Sequence, residues 1–342
     1  MATSKNAFGE NPVSLVTGGA GFIGSHVVDE LLRLKHHVIV LDDLSGGFEA
    51  NIHSAALFVK GSITDVELIN ALFEQHQIEY VYHLAAYAAE GLSHFIRRFN
   101  YENNLIGSIN LINASVNHKV KCFVFTSSIA VYGNAVPPMS ERTQPSPVDP
   151  YGIAKYAVEL DLKNAQELFG LNSIIFRPHN VYGSRQNIGD KYRNVVGIFM
   201  NQLLRNEKLT VFGDGNQTRA FTHIRDVAPH IARSVEIHEA YNETFNIGSD
   251  SVFSVNTLAQ LIGDVIDVQP EIEYLEEREE VDHAYANHLK FERFFNIHEH
   301  VPLQEGLEEM YEWVKRHGAK ESASFNGIEI EQNLPNSWKA QQ

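Results

Sequence analysis

Short apolar runs alternate, through the first half of the chain, with stretches whose apolar residues recur every three or four positions. Ser14-Leu15-Val16, Val38-Ile39-Val40-Leu41, Ala56-Leu57-Phe58-Val59, Tyr80-Val81-Tyr82-His83-Leu84, Phe123-Val124-Phe125-Thr126 and Ser173-Ile174-Ile175-Phe176-Arg177 read as strands. Ile23, Val27, Leu31 and Leu34 mark a helix between the first two, and residues 66–75, 104–117 and 154–169 mark others, the last stopped by Gly170. Strands with almost no polar face belong in a parallel sheet covered by helices on both sides. The pattern predicts an α/β chain built on a doubly wound parallel sheet. After Pro178 the rhythm changes to a polar loop over 183–193, a helix over 195–205, shorter elements and a last helix near 303–316. We therefore expect one domain over 1–178 with a return segment near 222–237, a smaller C-terminal α/β substrate domain over 179–319, and a polar tail over 320–342. In that tail Ile328, Ile330, Leu334 and Trp338 are spaced apolar anchors.

Composition narrows the partners. With 342 residues and 44% hydrophobic content, the chain can bury a large core, which excludes extensive disorder. A formal charge of −16 repels nucleic acid and anionic membranes, although a few arginines in a cleft can still hold a small anion. The single cysteine, Cys122, sits in an apolar run as core filler. The first residues lack the apolar stretch of a signal peptide, and no apolar run approaches the roughly 20 residues of a membrane helix. The expected setting is the cytoplasm. His36-His37 reads as a turn and His298-Glu299-His300 as a polar stretch, and neither has metal-ligand spacing, so no metal is expected.

Three motifs carry chemistry. The first, Gly18-Gly19-Ala20-Gly21-Phe22-Ile23-Gly24, stands at a strand-to-helix corner. There Gly18 permits the tight turn, Gly21 admits a pyrophosphate to the backbone, and Gly24 brings helix and sheet together. Asp42 follows at the end of the second strand, where a carboxylate accepts hydrogen bonds from adenosine ribose hydroxyls. Asp42 and Asp43 would repel a 2′-phosphate, so the cofactor expected is NAD rather than NADP.

The second motif, Tyr151-Gly152-Ile153-Ala154-Lys155, puts a phenol and an amine one helical turn apart after Pro150. A tyrosine of pKa about 10 becomes a useful base near neutrality only if nearby positive charge supplies roughly 4 kcal/mol of differential stabilisation. The third, Thr126-Ser127-Ser128-Ile129-Ala130-Val131-Tyr132-Gly133, follows a strand, with Ser128 able to hydrogen-bond a reacting hydroxyl or carbonyl.

Together with His83-Leu84-Ala85-Ala86, Asn103 and Arg177-Pro178-His179-Asn180-Val181-Tyr182-Gly183, these motifs resemble the extended short-chain dehydrogenase/reductases. Within them the likeness is to the nucleotide-sugar epimerases and dehydratases, above all those that invert carbon 4 of UDP-glucose and UDP-galactose. The resemblance implies a Rossmann domain with a nucleotide-sugar domain, and catalysis by Ser128, Tyr151 and Lys155. It implies NAD contacts from Phe22, Ile23, Ser62, Ile63, Leu84, Ala85, Ala86, Asn103 and Pro178, besides the glycines and Asp42. It implies substrate contacts from Asn180, Asn194, Val195, Phe212, Arg219 and Arg278, and a homodimer joined through 104–117 and 154–169.

Some positions depart from the family pattern. Ser62 stands where relatives carry an aspartate against the adenine. Ile129 and Ala130 replace the acidic pair of the 4,6-dehydratases, and Ala130 also replaces the cysteine of the GDP-mannose 3,5-epimerases. Gly91, beside Glu90, replaces an arginine of uronate-acting relatives, although Arg185 could meet a carboxylate. The expected reaction is epimerisation at carbon 4 of a neutral nucleotide-diphospho-hexose through a transient 4-keto sugar. A decarboxylase or dehydratase, a uronate or GDP-sugar epimerase, and an idle NAD-binding module remain the alternatives.

Overall fold

The computed structural model describes residues 11–277, 281–321 and 325–339. The chain begins with β1 (Val13–Thr17), α1 (Phe22–Arg33), β2 (His37–Asp42), β3 (Leu57–Lys60), α2 (Val66–Gln75) and β4 (Tyr80–His83). Next come α3 (Glu90–Ser93), α4 (Arg97–Tyr101), a wider π turn over Glu102–Ile106, α5 (Gly107–Asn117), β5 (Cys122–Thr126), α6 (Pro150–Phe169) and β6 (Ser173–Pro178). The remainder comprises β7 (Val181–Tyr182), α7 (Val195–Leu204), β8 (Leu209–Phe212), β9 (Thr218–Ala220), β10 (Thr222–His223), α8 (Ala228–Arg233) and β11 (Thr244–Ile247). It ends with β12 (Val252–Ser254), α9 (Val255–Ile266), β13 (Ile272–Leu275), β14 (His283–Ala284), α10 (Leu289–Phe295) and α11 (Leu303–His317).

Seven of the described strands form one parallel sheet in the order β3-β2-β1-β4-β5-β6-β11. Its strands are apolar on both faces because the two-residue period sends alternate side chains into different cores. Val16, Val40, Tyr82 and Val124 join the core under α1 and α8, while Leu15, Ile39, Val81 and Phe123 join the opposite core under α2, α5 and α6. The chain therefore has the doubly wound α/β fold. A third core, including Phe199, Met200, Leu258 and Leu307, lies among α7, α9 and α11.

The departures from the sequence reading have local causes. The return to the sheet runs past 222–237: α8 packs against α1 as that span suggests, but Thr244–Ile247 then pairs with β6 as the seventh strand. Its four residues are too few to show a period. Helix α6 starts at Pro150, as the Tyr151–Lys155 motif requires and four residues before its apolar pattern shows, because the Asp149 side chain accepts from Gly152 N–H at 2.9 Å and caps it. The segment expected to be a helix from 104 is helical from Arg97, through α4 and the π turn. His36 is buried and hydrogen-bonded to Ser14 Oγ at 2.7 Å, and His37 opens β2, so this pair is more than a turn.

Candidate active site

The carboxyl ends of β1, β2, β4, β5 and β6 open onto one cleft of about 590 Å³, at the point where the strand order reverses between β1 and β4. Gly18, Gly21, Phe22, Ile23 and Gly24 line it beside Asp42, Ser62, Ile63, Leu84, Ala85 and Ala86. Asn103, Ser128, Tyr151, Lys155 and Pro178 line the same cleft, as do Asn180, Asn194, Val195, Phe212 and Arg219. The fold thus gathers every sequence-predicted site residue except Arg278, which lies outside the described residues.

The glycine corner is a cradle that side chains would fill. Gly18 has φ +72°, and a Cβ there would stand 2.7 Å from Ala85 N. One on Gly24 would stand 2.1 Å from the Gly18 carbonyl oxygen, so both positions are restricted to glycine by contact with backbone. No described side chain caps α1, leaving its amino end to the cleft. Asp42 Oδ2 accepts from Ala20 N–H at 3.0 Å and Oδ1 from Leu44 N–H at 2.8 Å. Burial raises its pKa against the pull of these bonds. A carboxylate has about four acceptor positions, so two remain for a diol. This donor set and cradle fit a dinucleotide with an unphosphorylated ribose.

At the end of β5, the Ser128 hydroxyl lies beside the Tyr151 phenol in the cleft, and its Oγ accepts from Ala130 N–H at 3.1 Å. Tyr151 is 7% exposed and Lys155 2%. Lys155 Nζ donates to Thr126 O at 2.7 Å and lies 5.8 Å from the Tyr151 ring centre. Burial pushes the lysine down to about 7, partly opposed by the charge of Glu159. Burial also pushes the phenol up, with the nearby Ser128 hydroxyl pulling it back and the charge of Glu90 pushing it further up. Burial thus favours the neutral form of both groups, the phenol and the amine.

Two supporting networks escaped the sequence reading. In the first, His83 bonds Thr17 Oγ1 at 2.7 Å and Ser108 Oγ at 2.8 Å, and Ser108 Oγ donates to Asn104 O. Asn104 binds both backbone groups of Tyr87, and Asn100 donates to Pro150 O at 2.8 Å, so one chain of bonds links β1 to the start of α6. Asn100, Asn104 and Ser108, each four apart, form a polar stripe that the sequence displays. In the second, Glu159 pairs with buried Arg177 and accepts from Ser127, while Arg177 donates to Tyr132 Oη at 2.7 Å. This ties α6 to β6 and to the turn that carries Ser128.

On the far side of the cleft the expected donors are already engaged with backbone. Arg219 donates to the carbonyls of Thr218, Val281 and Asp282, and Asn180 to that of Ala220. Arg193 also lines the cleft: it pairs with Asp190 and lies 4.9 Å from the Tyr87 ring centre. The polar loop 183–193 was its only signal in the sequence. Arg185, considered for a carboxylate substrate, instead pairs with Asp29 at 2.7 Å and donates to Ser25 O.

A reversed strand order, a glycine cradle and an acidic strand end define a dinucleotide-binding α/β protein. Residues 14–248 match the model of the NAD dependent epimerase/dehydratase family. The chain belongs to that family, and its cofactor is NAD. A UDP-glucose 4-epimerase of Halalkalibacterium halodurans is 35% identical over 262 residues, covering 72% of this chain and 78% of that protein. The solved UDP-glucose 4-epimerase of Thermotoga maritima with UDP-glucose superposes with TM-score 0.85 at 37% identity, over 89% of this chain and 99% of that one. The UDP-glucuronic acid 4-epimerase of Bacillus cereus, solved with UDP-glucuronic acid and NAD, gives TM-score 0.82 at 28% identity, over 90% and 100%. Among the described residues no helix is long and apolar enough to cross a membrane.

Proposed function

We propose that the protein interconverts carbon-4 epimers of a neutral UDP-hexose, UDP-glucose and UDP-galactose. The carrying observation is that Ser128, Tyr151 and Lys155 converge in the cleft that holds the glycine cradle and Asp42. Tyr151 takes the proton of the sugar 4-hydroxyl and returns it to the 4-keto sugar after that has turned over in the site. Ser128 holds the same oxygen by a hydrogen bond, and Lys155 lends positive charge one turn away. NAD, when bound, supplies a hydride acceptor and donor at carbon 4, so that no reductant is consumed. Burial raises the Tyr151 pKa, so positive charge beside the phenol is what makes it a base.

The other contacts expected from the sequence take matching roles. Gly18, Gly21, Phe22, Ile23, Gly24, Asp42, Ser62, Ile63, Leu84, Ala85, Ala86, Asn103 and Pro178 surround the dinucleotide. Asn180, Asn194, Val195, Phe212 and Arg219 face the nucleotide-sugar.

Two observations favour a neutral sugar and conserved mass. Glu90 lines the cleft and would repel a uronate carboxylate, while Arg185 is paired elsewhere. The turn Ile129–Tyr132 places Ala130 in the cleft, where a dehydratase needs an acid. Incubation with UDP-glucose, followed by chromatography and mass spectrometry, is expected to give UDP-galactose of identical mass. A product lighter by water or carbon dioxide would overturn the assignment in favour of a lyase.

We also propose a homodimer. Ile153, Leu160 and Leu168 recur at seven- and eight-residue steps along α6 and are exposed, as are Phe169 and, just before α5, Ile106. Light scattering is expected to give twice the chain mass; a single-chain mass would refute the pairing.

A further inference from the structure

After α11 the chain runs across the back of the cleft wall, where the tail's sparse apolar residues find partners. Phe325 N–H donates to Tyr192 Oη at 3.1 Å, and the Phe325 ring lies 5.2 Å from Tyr87 and 5.0 Å from Phe99. The Glu329 carboxylate accepts from Arg98 N–H at 2.8 Å and Phe99 N–H at 2.9 Å, while its own N–H donates to Phe95 O. Trp338, 4% exposed, meets Tyr192 at 5.2 Å, Phe212 at 6.1 Å and Phe95 at 6.2 Å, all nearly edge to face. Leu334 completes this small core and Ile328 packs against it, whereas Ile330 stays exposed.

Tyr87, Phe99, Tyr192 and Phe212 are wall residues of the cleft, and each is backed by this segment. Trp338 joins Phe95, which precedes α4, to Phe212, which ends β8. The segment thus bridges the part of the chain that follows β4 to the part beyond the sheet.

We propose that residues 325–339 form a strap that holds Tyr192 and Phe212 in place for the nucleoside diphosphate of the substrate, with Trp338 as its positioning residue. The proposal rests on the reading of that side of the cleft as a nucleotide-sugar site. Trp338 meets Tyr192, Phe212 and Phe95 but not the glycine cradle, Asp42 or Lys155, so its loss acts on substrate affinity, whereas Glu329 also holds Phe99, whose carbonyl accepts from Asn103 on the cofactor side. Its effect passes through ring packing: without the indole, Tyr192 and Phe212 lose a shared neighbour and the wall relaxes outward.

The test uses the full chain with Trp338→Ala, Trp338→Phe and Glu329→Ala. Calorimetric titration with UDP measures the substrate side, and NAD retained per chain after gel filtration measures the cofactor side. Trp338→Ala is expected to weaken UDP at least tenfold and to raise KM with kcat within twofold, at native NAD retention; Trp338→Phe recovers most of the loss. Glu329→Ala, which removes only a surface clip, is expected to weaken UDP about threefold and covers the case in which Trp338→Ala misfolds. UDP affinity within twofold of native in every alanine variant that folds, judged by circular dichroism, overturns the strap, as does joint loss of UDP and NAD in folded Trp338→Ala. A native chain that retains NAD but binds no UDP overturns the reading of the site beneath it, and the strap with it.

Discussion

Tyr151→Phe is expected to lower kcat by about a thousandfold or more while leaving NAD retention and UDP affinity near native. The change removes one oxygen. General acid–base catalysis by a positioned group is typically worth about 10²–10⁴ in rate. In this cleft the phenol stands beside the Ser128 hydroxyl, with the Lys155 amine 5.8 Å from its ring centre. Phenylalanine fills the same space, and the backbone N–H of residue 151 keeps its bond to Ser93 Oγ, so the start of α6 stays in place. Single-turnover and steady-state rates on UDP-glucose measure the loss. A variant retaining more than a tenth of the native rate would place the proton transfer elsewhere.

Asp42→Ala is expected to weaken NAD at least tenfold. Hydrogen bonds to a charged group contribute about 1.5–3 kcal/mol, and each 1.4 kcal/mol is a factor of ten, so losing the ribose diol contact alone reaches that size. The same carboxylate also organises the cradle, since Ala20 and Leu44 both donate to it. Alanine therefore removes a ligand and loosens the glycine turn together. Asp42→Asn keeps the shape and one acceptor, and is expected to fall between native and alanine. The native chain should also prefer NAD to NADP, because Asp42 and Asp43 meet a 2′-phosphate with like charge. Cofactor titration by fluorescence checks both expectations; undiminished NAD affinity in Asp42→Ala would remove Asp42 from the cofactor site.

The elements legible in the sequence are those whose pattern is local. The glycine turn, the alternation of apolar strands with amphipathic helices, and Tyr151 one turn before Lys155 each lie within a few dozen residues, and each predicts its own neighbourhood. Strand β11 was not legible, because a four-residue strand gains its identity from β6 about 70 positions earlier. The Asn100, Asn104 and Ser108 stripe is visible as spacing, yet its purpose depends on His83 and Pro150 arriving from other elements. The likeness implies Arg219 as a diphosphate contact, whereas its bonds to three carbonyls accompany a strand pairing that composition does not show. The tail's anchors were legible as apolar positions, whereas the wall they back was not.

In the proposed reaction one hydride leaves carbon 4 and returns to it within a single site, with Tyr151 handling the proton. Incubating the native protein with UDP-glucose deuterated at carbon 4, with no added reductant, and following the product by NMR and mass spectrometry tests this directly. The predicted result is UDP-galactose that keeps the deuterium at carbon 4 at unchanged mass. Loss of the deuterium to solvent, or a product of lower mass, would contradict it.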